Sequence, residues 1–108
     1  MPVDATPETF PDLVAEGNVV VDFWGPRCQP CLAMMPAMLE LEQAYGGQVK
    51  LVKVNAPENR QVCRDLRVFG LPTYLLYRDG AEVTRLTGEP TRAEIEAAVS
   101  ELVDGGGE

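Results

Sequence analysis

Val19-Val20-Val21-Asp22-Phe23-Trp24 is an almost unbroken apolar run rich in β-branched residues, which is the pattern of a strand buried on both faces. Gly25-Pro26 breaks it. From Gln29 the period lengthens to a helical one. Leu32, Met35, Met38, Leu39, Leu41 and Tyr45 fall on one broad face, and Gly46-Gly47 ends the run. Pro36 lies inside this helix, where its missing donor is expected to produce a kink. Val49, Leu51, Val52 and Val54 mark a second strand, and Thr73 to Tyr77 a third. Asp79-Gly80 is a two-residue hairpin signal. The strand after it, Glu82 to Thr87, is more polar and suits a sheet edge.

Capping chemistry supplies the remaining helices. Thr6-Pro7-Glu8 reads as a helix start with Thr6 as cap and Pro7 at the first helical position, and Gly17-Asn18 as its end. Pro57 opens a short helix carrying Val62, Leu66 and Phe69. Thr91-Arg92-Ala93-Glu94 is a capping box, and the helix it opens points Ile95, Val99 and Leu102 inward. The order is helix, strand, helix, strand, helix, strand, strand, helix. Its alternating part implies right-handed crossovers and parallel pairing, and the hairpin adds an antiparallel strand. The expectation is an α/β fold, a central mixed sheet with helices on both faces. One domain over 1–104 accounts for the pattern, with 105–108 as a flexible Gly-rich tail.

Composition narrows the functional classes. The chain has 108 residues and a net charge of −8, which repels polyanions and disfavours nucleic acid or an anionic membrane as partner. No apolar run approaches the ~20 residues needed to span a bilayer. The segment MPVDATPETF has neither a basic start nor an apolar stretch, so no signal peptide is visible and the cytoplasm is the expected location. Monomer is the expected state.

The candidate chemistry lies in the cysteines. There are three of them and no histidine, which suits neither a secreted disulfide framework nor any His-based metal site or Cys–His catalysis. Cys28 and Cys31 lie three apart, where a buried strand passes through a short loop into a helix. Residues one turn apart are close enough for a disulfide. The helix N-terminus favours a thiolate at Cys28, making Cys28 the nucleophile and Cys31 the resolving thiol. Pro30 fits the first turn, where its missing donor would be unpaired anyway. A zinc half-site uses the same spacing, but zinc needs about two more ligands and only Cys63 remains as a sulfur.

Val21-Asp22-Phe23-Trp24, then Cys28-Gln29-Pro30-Cys31, then Leu71-Pro72-Thr73, resembles the thioredoxin family over nearly the whole chain, Asp79-Gly80 and Gly88 included. The resemblance implies the thioredoxin fold, thiol–disulfide exchange with disulfide-containing proteins, no bound cofactor, and re-reduction by a thioredoxin reductase or another dithiol donor. Pro72 matches the family's cis-proline opposite the disulfide; a strand-start proline is the plainer reading. Leu71 before it would offer backbone groups to an extended substrate. Asp22 matches the buried aspartate beneath the active site, where burial raises a carboxyl's pKa and lets it take the proton of Cys31; an Asp near the strand end that reaches water is the alternative. Lys53 matches a lysine beside that aspartate, or is a solvated strand lysine. Trp24 matches the tryptophan packed beside the disulfide and is equally ordinary core. Gly88 would leave room for a substrate backbone, or is a plain loop glycine.

Four places depart from the family, Gly25-Pro26 before the cysteines among them. Arg27 replaces a tryptophan before the first cysteine, Gln29 replaces a glycine between the cysteines, and Glu89 follows Gly88 where a small residue is common. Arg27 favours the thiolate, hence the reduced form, and so points to a more oxidising couple than the roughly −270 mV of thioredoxin. Together these changes suit a polar docking patch and a narrowed or dedicated partner set. Cys63 reads as a buried small hydrophobe or as an exposed regulatory thiol. An interaction module with passenger cysteines and a metal-binding module are the competing functional classes.

Overall fold

A computed structural model describes residues 1–105 of the chain. Five strands, β1 (Val3–Asp4), β2 (Asn18–Trp24), β3 (Lys50–Asn55), β4 (Thr73–Arg78) and β5 (Ala81–Leu86), form one sheet in the order β1-β3-β2-β4-β5. Four α-helices cover it: α1 (Phe10–Leu13), α2 (Gln29–Tyr45), α3 (Arg60–Asp65) and α4 (Arg92–Gly105). Short 3-10 turns follow α2 at Gly46–Gln48 and precede α3 at Ala56–Glu58.

The strand alternation of side chains sorts the core into two layers. Val19, Val21 and Phe23 of β2 pack with Phe10, Val62, Cys63 and Leu75 on the α1/α3 side. Val20 packs with Met38, Leu51, Tyr74, Leu76, Ile95 and Val99 on the α2/α4 side. Asp22 is two residues beyond Val20 and therefore points to the α2/α4 side. β5 is the edge strand, as its polar sequence predicts. Asp79 and Gly80 both take positive φ, 49° and 89°, which a two-residue hairpin of this twist requires.

Several expectations are corrected. β2 and β3 are parallel, but β4 already runs antiparallel to β2, before the hairpin. The connection from Asn55 to Thr73 folds into a 3-10 turn, short α3 and a loop, not a helix of full strand length. It re-enters the sheet at the end where β3 finished, with Thr73 paired to Phe23. The α1 helix begins at Phe10 rather than beside Pro7, because Thr6 and Thr9 close a turn through each other's hydroxyls and amides first. Two-residue β1 carries no periodicity to read, yet it pairs with β3. On α2 Cys31 and Met38 are buried and Met34, Leu41 and Tyr45 pack partly buried beside them, while Leu32 and Leu39 face outward. The helix continues through Pro36.

Phe69 is not on α3. Arg67 adopts φ 58° and ends the helix, with Val68 N–H donating to the Cys63 carbonyl and Arg67 N–H to that of Arg64, a left-handed cap that turns the chain outward. Phe69 is left 84% exposed. At the other end the capping box forms in full, Thr91 N–H to the Glu94 carboxylate and Glu94 N–H to the Thr91 hydroxyl. Arg78 donates to the Leu102 carbonyl. α4 runs to Gly105, one residue into the stretch read as tail; residues 106–108 lie outside the described part.

Candidate active site

β2 ends at Trp24, and buried Gly25 turns the chain toward α2. A Cβ at Gly25 would lie 3.2 Å from Leu71 Cδ1, so the missing side chain lets the segment before Pro72 close on the Cys28 loop. Cys28 N–H donates to the Gly25 carbonyl at 3.1 Å, and the loop enters α2 with Cys28 as N-cap. Cys28 has extended φ/ψ, and its Sγ accepts the backbone N–H of Cys31 at 3.2 Å. This is the bond an N-cap oxygen makes to the third helical residue. Pro30 occupies the first turn, where no donor is needed.

Cys28 and Cys31 are joined as a disulfide, with Cα atoms 5.2 Å apart. The two sulfurs differ in access. Cys28 is half-buried at the mouth, and Cys31 is 1% exposed. Cys31 precedes Met38 by seven residues and so shares the helix face that lies on the sheet. Of the two, the outer sulfur can meet a partner and the inner one can act only from behind it. Cys63 is free, buried in the α1/α3 layer, and its thiol pKa is pushed up by burial.

Asp22 is 1% exposed, and neither carboxyl oxygen has a hydrogen-bond partner in the protein. Burial raises its pKa from 3.8 to about 7, with the positive charge of Lys53 pulling the other way. Lys53 is the register partner of Asp22 across β2 and β3. Its Nζ lies 3.9 Å from Asp4 of β1 and 5.2 Å from the centre of the Trp24 ring. Thus Lys53 answers to two carboxylates and a π face. Asp22 does not reach the protein surface. On the other flank Tyr74 pairs with Asp22 across β2 and β4, and its buried hydroxyl also lacks a protein partner. Its phenol pKa is pushed up by burial and by the Asp22 charge. The sequence reading missed Tyr74, whose register opposite Asp22 exists only once β4 is antiparallel.

The Leu71–Pro72 peptide bond is cis. Leu71 lines, with Gly25, Pro26, Arg27, Cys28, Pro57 and Arg60, a depression of about 560 Å³ beside the outer sulfur. Gly88 takes φ 72° in open space, on a second depression that shares Leu71. Arg27, Gln29 and Pro30 are exposed around the mouth. Among the described residues no group of three His, Cys, Asp or Glu side chains is placed to hold a metal ion.

A family model described as Thioredoxin matches residues 2–101. The chain belongs to the thioredoxin family. It is 39% identical over 99 residues to the thioredoxin of Acetoanaerobium sticklandii, covering 89% of this chain and 94% of the relative. To the thioredoxin of Bacillus subtilis it is 34% identical over 98 residues, 91% and 94% of the two chains. Its fold superposes on the crystal structure of oxidised mitochondrial thioredoxin 3 from Saccharomyces cerevisiae with a TM-score of 0.85 at 27% identity, covering 92% and 93%.

Family and geometry together make the chain a protein thiol–disulfide oxidoreductase whose redox couple is Cys28–Cys31. Thioredoxins ordinarily work without a cofactor, and no helix here is long and apolar enough to cross a membrane. Arg27, exposed and next to Cys28 in the chain, lines the same depression. Glu89 also takes a left-handed φ of 58° next to Gly88, a conformation with a steric cost for a residue bearing a Cβ.

Proposed function

We propose that the chain reduces or exchanges disulfides of a restricted set of protein partners, with Cys28 as nucleophile and Cys31 as resolving thiol. In the first step the Cys28 thiolate attacks one sulfur of the substrate disulfide. A Cys28–substrate mixed disulfide forms and the other substrate sulfur leaves as thiolate. In the second, Cys31 gives its proton to Asp22 and attacks the Cys28 sulfur. The remaining substrate thiolate departs and the Cys28–Cys31 disulfide closes. Two electrons pass from the chain to the substrate, and a dithiol donor such as a thioredoxin reductase returns them.

The observation that carries this reading is the asymmetry of the pair. The half-buried Cys28 sulfur sits at a helix N-terminus and accepts an N–H, while Cys31 is closed off behind it. Helix dipole and hydrogen bond both favour a sulfur anion at that place. Leu71, the cis Pro72 and Gly88 are the proposed seat of the substrate backbone, and Trp24, Lys53, Arg27, Gln29 and Pro30 tune the centre. The exchange needs no bound cofactor. A monomer in the cytoplasm that engages neither nucleic acid nor membrane fits the chain's acidic surface.

Paired variants test the roles. Cys31→Ser traps a mixed disulfide with a substrate protein, stable until an external thiol is added, and Cys28→Ser traps none. Trapping by Cys28→Ser, or by neither variant, overturns the assignment.

A further inference from the structure

Just over half of the basic residues of this acidic chain line one surface. Three surface depressions run together beside the active site. The first holds Cys28, Arg27, Arg60 and Leu71. The second shares Arg60 and Leu71 and adds Arg64 and Phe69. The third shares Phe69 and Leu71 and continues through Arg67 and Arg85 to Gly88. Five of the chain's nine Lys and Arg line this continuous surface, against Glu89 alone among 17 Asp and Glu.

Arg85 has an internal task. It pairs with Glu82 and donates to the carbonyls of Leu66 and Arg67, fixing the loop that carries Phe69. Arg27, Arg60, Arg64 and Arg67 are exposed, and among the described residues none has a carboxylate within 4.0 Å. Folding favours this arrangement only in part: Arg64 stands in the last turn of α3, where a cation suits the dipole. Arg60 and Arg64 are four apart on α3, where like charges repel, and Arg60 begins the helix, where a cation opposes the dipole. Phe69 adds a nearly bare aromatic ring at the centre of the basic surface.

We propose that Arg27, Arg60, Arg64 and Arg67, with Phe69 between them, dock a partner segment whose reactive disulfide is flanked by carboxylates and a bulky apolar side chain. The inference rests on the exchange reaction at Cys28 and names the partner chemistry for it. Electrostatic complementarity of this kind acts on encounter rate and partner choice, and it is screened by salt. It also opposes the net charge. A chain of −8 should repel acidic partners unless the local field at the active site has the other sign.

That opposition sets the test. Two disulfide-bridged fluorogenic peptides of equal length, each with one Phe, differ only in Glu or Lys beside the cysteines. The second-order rate constant for reduction by the fully reduced chain is measured for each and divided by the rate with dithiothreitol, which removes differences in intrinsic reactivity. The Glu peptide is expected to react about tenfold faster in low salt, and the preference to fade at about 0.5 M salt. In Arg60→Glu/Arg64→Glu the preference reverses, and in Arg60→Gln/Arg64→Gln it is intermediate; circular dichroism confirms that both variants are folded. Equal rates, a faster Lys peptide, or a preference that survives charge reversal overturns the docking proposal and leaves the oxidoreductase intact. Failure to reduce either peptide, while dithiothreitol reduces both, removes the exchange reading and the docking proposal with it.

Discussion

Replacing Asp22 by Asn should stabilise the chain above about pH 4, and most at neutral and alkaline pH. Both Asp22 oxygens are buried without protein partners, and burial moves the carboxyl from 3.8 to about 7 even with Lys53 opposing it. Below about pH 4 the acid is protonated in folded and unfolded chains alike and contributes nothing. Between about 4 and 7 the unfolded chain loses the proton and the folded chain keeps it, so stability falls as pH rises. Above about 7 the penalty is constant. A shift of roughly 3 pH units at 1.36 kcal/mol each sets it at about 4 kcal/mol. Asn has the same shape and no charge, so the variant escapes the penalty. Denaturant unfolding of the oxidised wild type and Asp22→Asn at several pH values reads the effect. The difference between them should be near zero at about pH 4 and grow to about 4 kcal/mol in favour of the variant by about pH 8.5. A difference that does not change with pH would refute the reasoning, as would a variant less stable in alkali.

The same substitution should slow turnover. Without a base behind it, Cys31 loses its proton less readily, and the mixed disulfide of Asp22→Asn should resolve about 10- to 100-fold more slowly at neutral pH, followed by rapid-quench of the Cys28 adduct. Wild-type resolution should accelerate through about pH 7, where Asp22 ionises, and the variant should lack that step. Arg27→Glu places an anion beside Cys28 and should make the couple more reducing by about 20 mV in a glutathione equilibrium; a change in the opposite direction contradicts the role given to Arg27. Gly25→Ala pushes against Leu71 Cδ1 at 3.2 Å and should slow disulfide reduction severalfold while costing about 1–3 kcal/mol, measured by activity and unfolding on one preparation. Thr91→Ala removes half of the capping box and should cost about 1 kcal/mol.

Wherever one residue's chemistry is enough, the sequence could be read. Val19 to Trp24 has the composition of a central strand, Asp79-Gly80 needs positive φ at both positions, and Thr91 and Glu94 stand at capping distance. Cys28 and Cys31 point to a redox pair by their spacing together with their place between a buried strand and a helix. What stayed illegible depends on geometry assembled from afar. The direction of β4 depends on the end of the sheet at which the connection through α3 re-enters, which no local pattern records. Leu32 and Leu39 are apolar at helical spacing, but the sheet lies against Cys31 and Met38. Phe69 looks like the next core position after Leu66 until Arg67 turns left-handed. Tyr74 meets Asp22, and Arg60, Arg64 and Arg67 meet Arg27, only through the fold.

The central claim is that a sulfur anion is favoured at the first turn of α2. Reduced chain alkylated with iodoacetamide across pH, with each cysteine resolved by mass spectrometry, tests it most directly. Cys28 should label first, with a midpoint well below the ~8.5 of a free thiol, and Cys31 only slowly. A Cys28 midpoint at ~8.5, or Cys31 labelling ahead of it, would contradict the account.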